Sequence, residues 1–181
     1  CVPATFDRVD ADACMSTNDT VIVLANGASG VPADDRFAGG LHQVCADLSR
    51  QLAADAEGAS KLIDVRVVGA ASVADAEEAA RAVARSALFK CAMFGEDPNW
   101  GRVLSAVGTT SAQFDPLHID VAINGVTVCR DSGPGEPRDT VDLSGRDIEV
   151  VIDLHAGEHT VTIVTTDLTT DYVHENSAYS T

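Results

Sequence analysis

The chain has 181 residues, 45% of them hydrophobic, which is enough for one core and too few for a multidomain machine. Its 12 basic and 28 acidic residues leave a net charge of −16, a field that repels phosphate backbones and anionic lipid and so excludes nucleic acid and membrane surfaces as partners. No apolar run approaches the roughly eighteen residues of a spanning helix, and the opening C-V-P-A-T-F-D-R lacks a charged segment followed by an apolar one, so the sequence reads as soluble and cytoplasmic.

The first apolar segment in chain order is T-V-I-V-L-A at 20–25, a β-branched run that predicts a strand. From Phe37 the apolar residues fall at Phe37, Leu41, Val44, Leu48 and Leu52, one face of an amphipathic helix. Asp34 or Asp35 caps its start, and Gly58 follows its end. A strand over 62–68 alternates Val65 and Val67 with Asp64 and Arg66. A second helix is predicted over 73–88, with Ser72 as N-cap, Asp75 in a capping-box-like position, and Val73, Ala76, Ala80, Val83 and Leu88 toward the core.

Further strands are expected over 119–123, 126–129, 148–154 and 160–166. Asn124-Gly125 supplies the positive backbone angles of a tight hairpin. A second hairpin is expected over 155–159, between the alternating runs Ile148, Val150, Ile152 and Val161, Ile163. The stretch 132–139, with two Gly and two Pro, reads as a loop. The sum is a mixed α/β (α+β) chain with helices packed on sheet and antiparallel strands dominating its second half.

Several clusters admit two readings. S-T-N-D-T at 16–20 either satisfies turn backbone or binds ligand. F-G-E-D-P-N-W-G-R at 94–102 carries Gly and Pro that argue against regular structure; it is a rigid loop held by Trp100 or the lip of a ligand site. Glu57, in D-A-E-G-A-S-K, reads by itself as a surface carboxylate at a helix end. The tail E-N-S-A-Y-S-T is too small and polar for a docking helix and reads as frayed.

The histidines lack metal-ligand spacing, His155 and His159 being separated by a loop glycine, so no metal is assigned. Five cysteines, none spaced C-x-x-C, argue against a disulfide or zinc framework, and Cys45 and Cys91 lie in apolar contexts that suit small core residues. A first residue Cys1 invites an N-terminal nucleophile reading, but Val2-Pro3 leads into a turn-like polar stretch instead of a buried strand. The absence of an initiator Met is read as a chain that has been processed or cut, with a segment expected upstream.

Taken in order, T-F-D-R-V-D, S-T-N-D-T, A-N-G-A-S, D-A-E-G-A-S-K, G-E-D-P-N-W-G-R-V-L, V-A-I-N-G, T-T-D-L and Y-V-H-E-N-S-A-Y-S-T resemble the bacterial ornithine acetyltransferase family, with an actinobacterial flavour. The resemblance runs over 5–181 and is closest to most of that enzyme's β chain. It implies transfer of acetyl from N2-acetylornithine to glutamate through an acetyl-threonine, with acetyl-CoA accepted by some members as co-substrate and no cofactor. It implies a layered αββα sandwich of the self-cleaving N-terminal-nucleophile type, mixed sheets with helices outside. Within it, 1–110 is a helix-and-sheet core and 111–181 is mostly antiparallel strands with a substrate-contacting tail.

The family's A-T-M-L segment, which bears the nucleophilic Thr, is missing from this sequence, and Thr5 aligns well downstream of it. No catalytic residue is therefore assigned in this chain, Thr5 and Cys1 included. The resemblance assigns Glu57, Asn176 and Thr181 to the substrate, the tail folding back over the pocket. The implied partners are the α chain and upstream β segment of the same precursor, in an αβ hetero-oligomer, with N2-acetylornithine, ornithine and glutamate as ligands. Two other readings compete: a non-catalytic amino-acid-binding or assembly fragment, and a related self-cleaving aminopeptidase, which should lack the Glu57 motif and the E-N-S-A-Y tail.

Overall fold

The strand at the centre of the molecule is β1, Leu62–Ala70, whose Ile63, Val65 and Val67 are fully buried. The computed structural model describes residues 1–16 and 18–178. In it β1 pairs in parallel with β5, Asp147–Asp153, and antiparallel with β6, His159–Thr166. On the far side of β5 lie β2, Asp120–Ile123, then β3, Val126–Arg130, then the short β4, Gly133–Pro134. The order is β4-β3-β2-β5-β1-β6. The β2–β3 hairpin turns on Asn124 and Gly125 at φ +46 and +81, as their residue types predict.

The second hairpin expected from sequence does not form, because β1 inserts between β5 and β6. Residues 155–159 instead pass over the end of β1, where the N–H groups of Ala156 and Gly157 donate to the Gly69 carbonyl at 2.6 and 2.8 Å. A Cβ on Gly157 would lie 2.5 Å from the Ala70 oxygen, so the crossing is open to glycine alone.

Helices flank the sheet on both faces. On the apolar face lies α2, Val73–Ala84, capped by the Ser72 hydroxyl accepting from Asp75 N at 3.1 Å. Its Ala76, Ala79, Ala80, Val83 and Ala84 are buried, small residues that let the helix approach β1 and β6 closely. The helix expected to reach residue 88 stops at Arg85. There Ser86 turns extended and caps a new helix, α3, Ala87–Phe94, by accepting from Phe89 N at 3.3 Å. Val73 and Leu88 are exposed, against expectation. Two more helices overlap stretches expected to be irregular: α4, Trp100–Val107, begins within 94–102, and α5, Thr170–Ser177, runs into the tail that begins at Glu175.

Over the opposite, polar face runs α1, Asp35–Ala54, capped by Asp34, with Arg50 bridging Asp64 and Asp147 at 2.9 and 3.1 Å. Its buried residues are Cys45, Ser49 and Ala53, and not the predicted stripe: Val44, Leu48 and Leu52 are 54%, 50% and 59% exposed. The strand expected over 20–25 is also absent. Its segment pairs with no other strand among the described residues, and Ile22 and Leu24 are 70% and 91% exposed. The five cysteines are free thiols; Cys45 and Cys129 are buried, whereas Cys91, expected in the core, is exposed.

The N-terminal strap 1–12 is tied to this frame at Asp10. Its carboxylate is 2% exposed and receives Arg81 Nη1 and Arg85 Nε, each at 2.8 Å, while Asp10 N donates to Val164 O. Asp10→Ala strands two guanidinium groups over a cavity; we expect it to lower the unfolding free energy by about 2–3 kcal/mol, measured by urea denaturation, the partly exposed arginines limiting the loss.

Candidate functional site

Between α1 and β1, residues 55–61 carry D-A-E-G-A-S-K and turn at Gly58, φ +66. A side chain is barred there by the backbone angle and by space, since a Cβ would stand 2.3 Å from the Tyr172 nitrogen. That approach sets the Glu57-Gly58 turn against the first turn of α5. Two side chains staple it in place. Thr169 caps α5, its hydroxyl oxygen accepting from Tyr172 N at 2.9 Å, and donates the hydroxyl proton to the Gly58 carbonyl at 2.6 Å. Asp167, 1% exposed, accepts from the N–H groups of Ser60 and Lys61 at 2.9 and 3.0 Å and from the Ser60 hydroxyl. Three donors supply what water would otherwise give a buried carboxylate.

Lys61 extends the same scaffold. Its buried ammonium donates to the carbonyls of Leu143 and Gly145 at 2.6 and 3.1 Å and to Glu96 Oε1 at 3.1 Å. Glu96 is the second residue of the G-E-D-P-N-W-G-R segment, whose polar residues shape a loop and start a helix. Asn99 caps α4 by accepting from Arg102 N at 3.2 Å and donates to Asp97 Oδ2 at 2.9 Å, while the Arg102 guanidinium donates to the Leu88 carbonyl. Trp100 is the first residue of α4; it packs on the core and also lines an open surface cleft of 520 Å³ with Pro134, Pro137 and Arg138.

Of the three residues assigned to substrate, Glu57 and Asn176 are both exposed, Glu57 next to the Gly58 turn that packs on α5 and Asn176 within α5. The turn bearing Glu57 touches the Tyr172 nitrogen, and Asn176 Nδ2 donates to the Tyr172 carbonyl at 2.9 Å, one helical turn on. Thr181 lies outside the described residues. The Tyr172 hydroxyl donates to Asp12 Oδ1 at 3.0 Å. Burial, then the bond to Asp12 and the negative field of Asp12, Cys14 and Glu57, holds its phenol above the usual tyrosine range. An exposed carboxylate and an amide at one end of the fold suit an ammonium and a carboxylate on a small ligand. The Thr5 hydroxyl is buried and donates to the Cys1 carbonyl at 3.1 Å.

Sequence reasoning passed over Asp167, Thr169 and Tyr172. The available signal was Thr169 followed by Asp171 in a first turn, the pattern of a capped helix start.

The ArgJ family model matches residues 1–181. The chain is 62% identical over 178 residues to an arginine biosynthesis bifunctional protein ArgJ of Thermobifida fusca, covering 98% of this chain and 46% of that one. It is 62% identical over 177 residues to the protein of the same name from Streptomyces avermitilis, covering 97% and 46%. The chain therefore spans less than half the length of these curated relatives. Among solved structures, the crystal structure of the arginine biosynthesis bifunctional protein argJ from Bacillus halodurans superposes with a TM-score of 0.90 at 35% identity, over 98% of this chain and 89% of that one.

Gly58→Ala tests the close approach of the loop to α5. We expect a loss of about 1–3 kcal/mol in stability and at least about tenfold faster amide exchange over 170–177 in hydrogen–deuterium exchange mass spectrometry.

Proposed function

Because the chain belongs to the ArgJ family, we propose that it is the substrate-binding, C-terminal β-chain part of a glutamate N-acetyltransferase of arginine biosynthesis. In this reading a threonine on the missing upstream segment attacks the acetyl carbonyl of N2-acetylornithine. The acyl C–N bond breaks, an acetyl-threonine ester forms, and ornithine leaves with the proton. The glutamate amine then attacks the ester, giving N-acetylglutamate and returning the threonine hydroxyl. Acetyl-CoA serves the same ester as an alternative donor. Glu57 holds the ammonium of the incoming amine or takes its proton, and Asn176 and Thr181 hold the amino-acid end.

The observation that supports this reading is the close packing of the Glu57-Gly58 turn on the first turn of α5, the helix that also carries Asn176. A second observation supports the partner. The apolar stripe of α1 and the segment 20–25 face outward, where the α chain and the upstream β segment of one self-cleaved precursor would cover them in a cytoplasmic αβ hetero-oligomer. The same surface favours the assembly-fragment reading when the chain is alone.

Intact-mass spectrometry of this chain together with the rest of its precursor, before and after N2-acetylornithine, tests the chemistry. The expected result is one acetyl adduct on a threonine-initiated segment, with ornithine released; no adduct and no ornithine overturns it. Leu48→Asp tests the partner surface. The isolated chain should keep its stability within about 0.5 kcal/mol, as an exposed site allows, while co-purification with the remaining segments falls at least about tenfold.

A further inference from the structure

Lys90, on α3, is 6% exposed, and the acetyl-transfer reading gives it no task. Its ammonium donates to the Ala11 carbonyl in the N-terminal strap and lies 5.9 Å from the centroid of the Tyr172 ring on α5. The other end of that ring is bound to the strap through Asp12. The Lys90 carbonyl in turn accepts from Leu168 N at 3.4 Å, beside the Asp167 staple. The buried cation thus bonds the strap and faces a ring of α5, yet it forms no ion pair among the described residues. An apolar side chain would fill this place without the desolvation an ammonium suffers.

We propose that Lys90 is a positioning residue for the substrate end of the molecule: held between the Ala11 carbonyl and the Tyr172 ring, its ammonium sets the seat of α5, and with it Asn176, against the Glu57 turn. The inference rests on the transferase reading and deepens it. Lys90 itself touches no substrate; it acts through Tyr172.

The titratable groups facing the ammonium are Asp10 and Asp12 from the strap, Asp167 from the β6–α5 link, Cys91 on its own helix and the Tyr172 phenol on α5. Burial outweighs their attraction and holds Lys90 below the usual lysine range. The sign separates two roles. A lysine whose folded value is depressed adds stability as pH rises from that value to the unfolded one, so a purely structural Lys90 would hold α5 no worse in alkali. A Lys90 that seats α5 by its charge loses the ring contact as it deprotonates, and substrate binding weakens while the fold does not.

The test is steady-state acetyl transfer from N2-acetylornithine to glutamate by the complete enzyme, from about pH 7 to about pH 10. In the wild type, KM for N2-acetylornithine should rise in alkali with kcat little changed. Lys90→Met should raise KM about tenfold at neutral pH with no further alkaline rise. Lys90→Arg, whose charge persists, should restore the neutral KM and stay flat in alkali. A folded Lys90→Met enzyme with the wild-type KM and pH profile overturns the proposal. If Lys90→Met fails to fold, Tyr172→Leu removes the ring and leaves the cation; it should give the same KM rise, and an unchanged KM overturns the proposal. A wild-type enzyme without acetyl transfer overturns the transferase reading instead. Lys90 is then judged by amide exchange over 170–177 at neutral and alkaline pH, where faster alkaline exchange that is absent in Lys90→Arg supports it and equal exchange overturns it.

Discussion

One buried carboxylate, Asp167, decides how the loop entering β1 meets the segment leaving β6. It sits where β6 hands over to α5, and it collects two backbone N–H groups and a hydroxyl from the loop that leads into β1. Without those donors the charge would be too costly to bury, and without the charge the loop amides would lack acceptors. The constraint is mutual, and it fixes the entrance of the central strand and the exit of the edge strand together. Thr169 and Gly58 complete the joint by bringing backbone to within contact of backbone. Every feature argued for the ligand end, from Glu57 to Asn176, hangs from this joint.

Much of the architecture was legible because the chain signals its local structure with side chains that satisfy backbone groups. Asp34 and Ser72 cap the helices they were expected to cap, and Asn124-Gly125 turns the hairpin its residue types allow. Failures came where the deciding partner is distant or the signal is single. Alternation along β5 and β6 is the same whether they pair with each other or with a strand between them, so the insertion of β1 left no local trace. Ser86 breaks one expected helix into two by capping the second. Pro98 and Gly101 look like breakers until Asn99 is recognised as the cap of α4, since proline is tolerated just outside a helix start.

The outward stripe of α1 shows a different limit. Periodicity at Phe37, Leu41, Val44, Leu48 and Leu52 reports an apolar face but not what covers it. Within this chain the helix rests on the small residues Cys45, Ser49 and Ala53. The candidate site was legible only in part. Glu57, Asn176 and Thr181 came from likeness to a family, while Asp167, Thr169 and Tyr172, which carry the joint, are ordinary polar residues whose meaning depends on a loop more than a hundred positions earlier.

The place of β1 also sets a timetable. Ile63 meets Ile148 on one side and Thr165 on the other, so the central strand of the molecule emerges from the ribosome long before either neighbour has been synthesised. Hairpin-first folding is closed to it, and its contacts are of high sequence separation, the kind that slows folding. Until the last third of the chain appears, β1 and the alanine-rich face of α2 have only each other, leaving an unpaired strand edge exposed during synthesis. Such an intermediate is a natural client for holding chaperones and a hazard when the chain is overproduced.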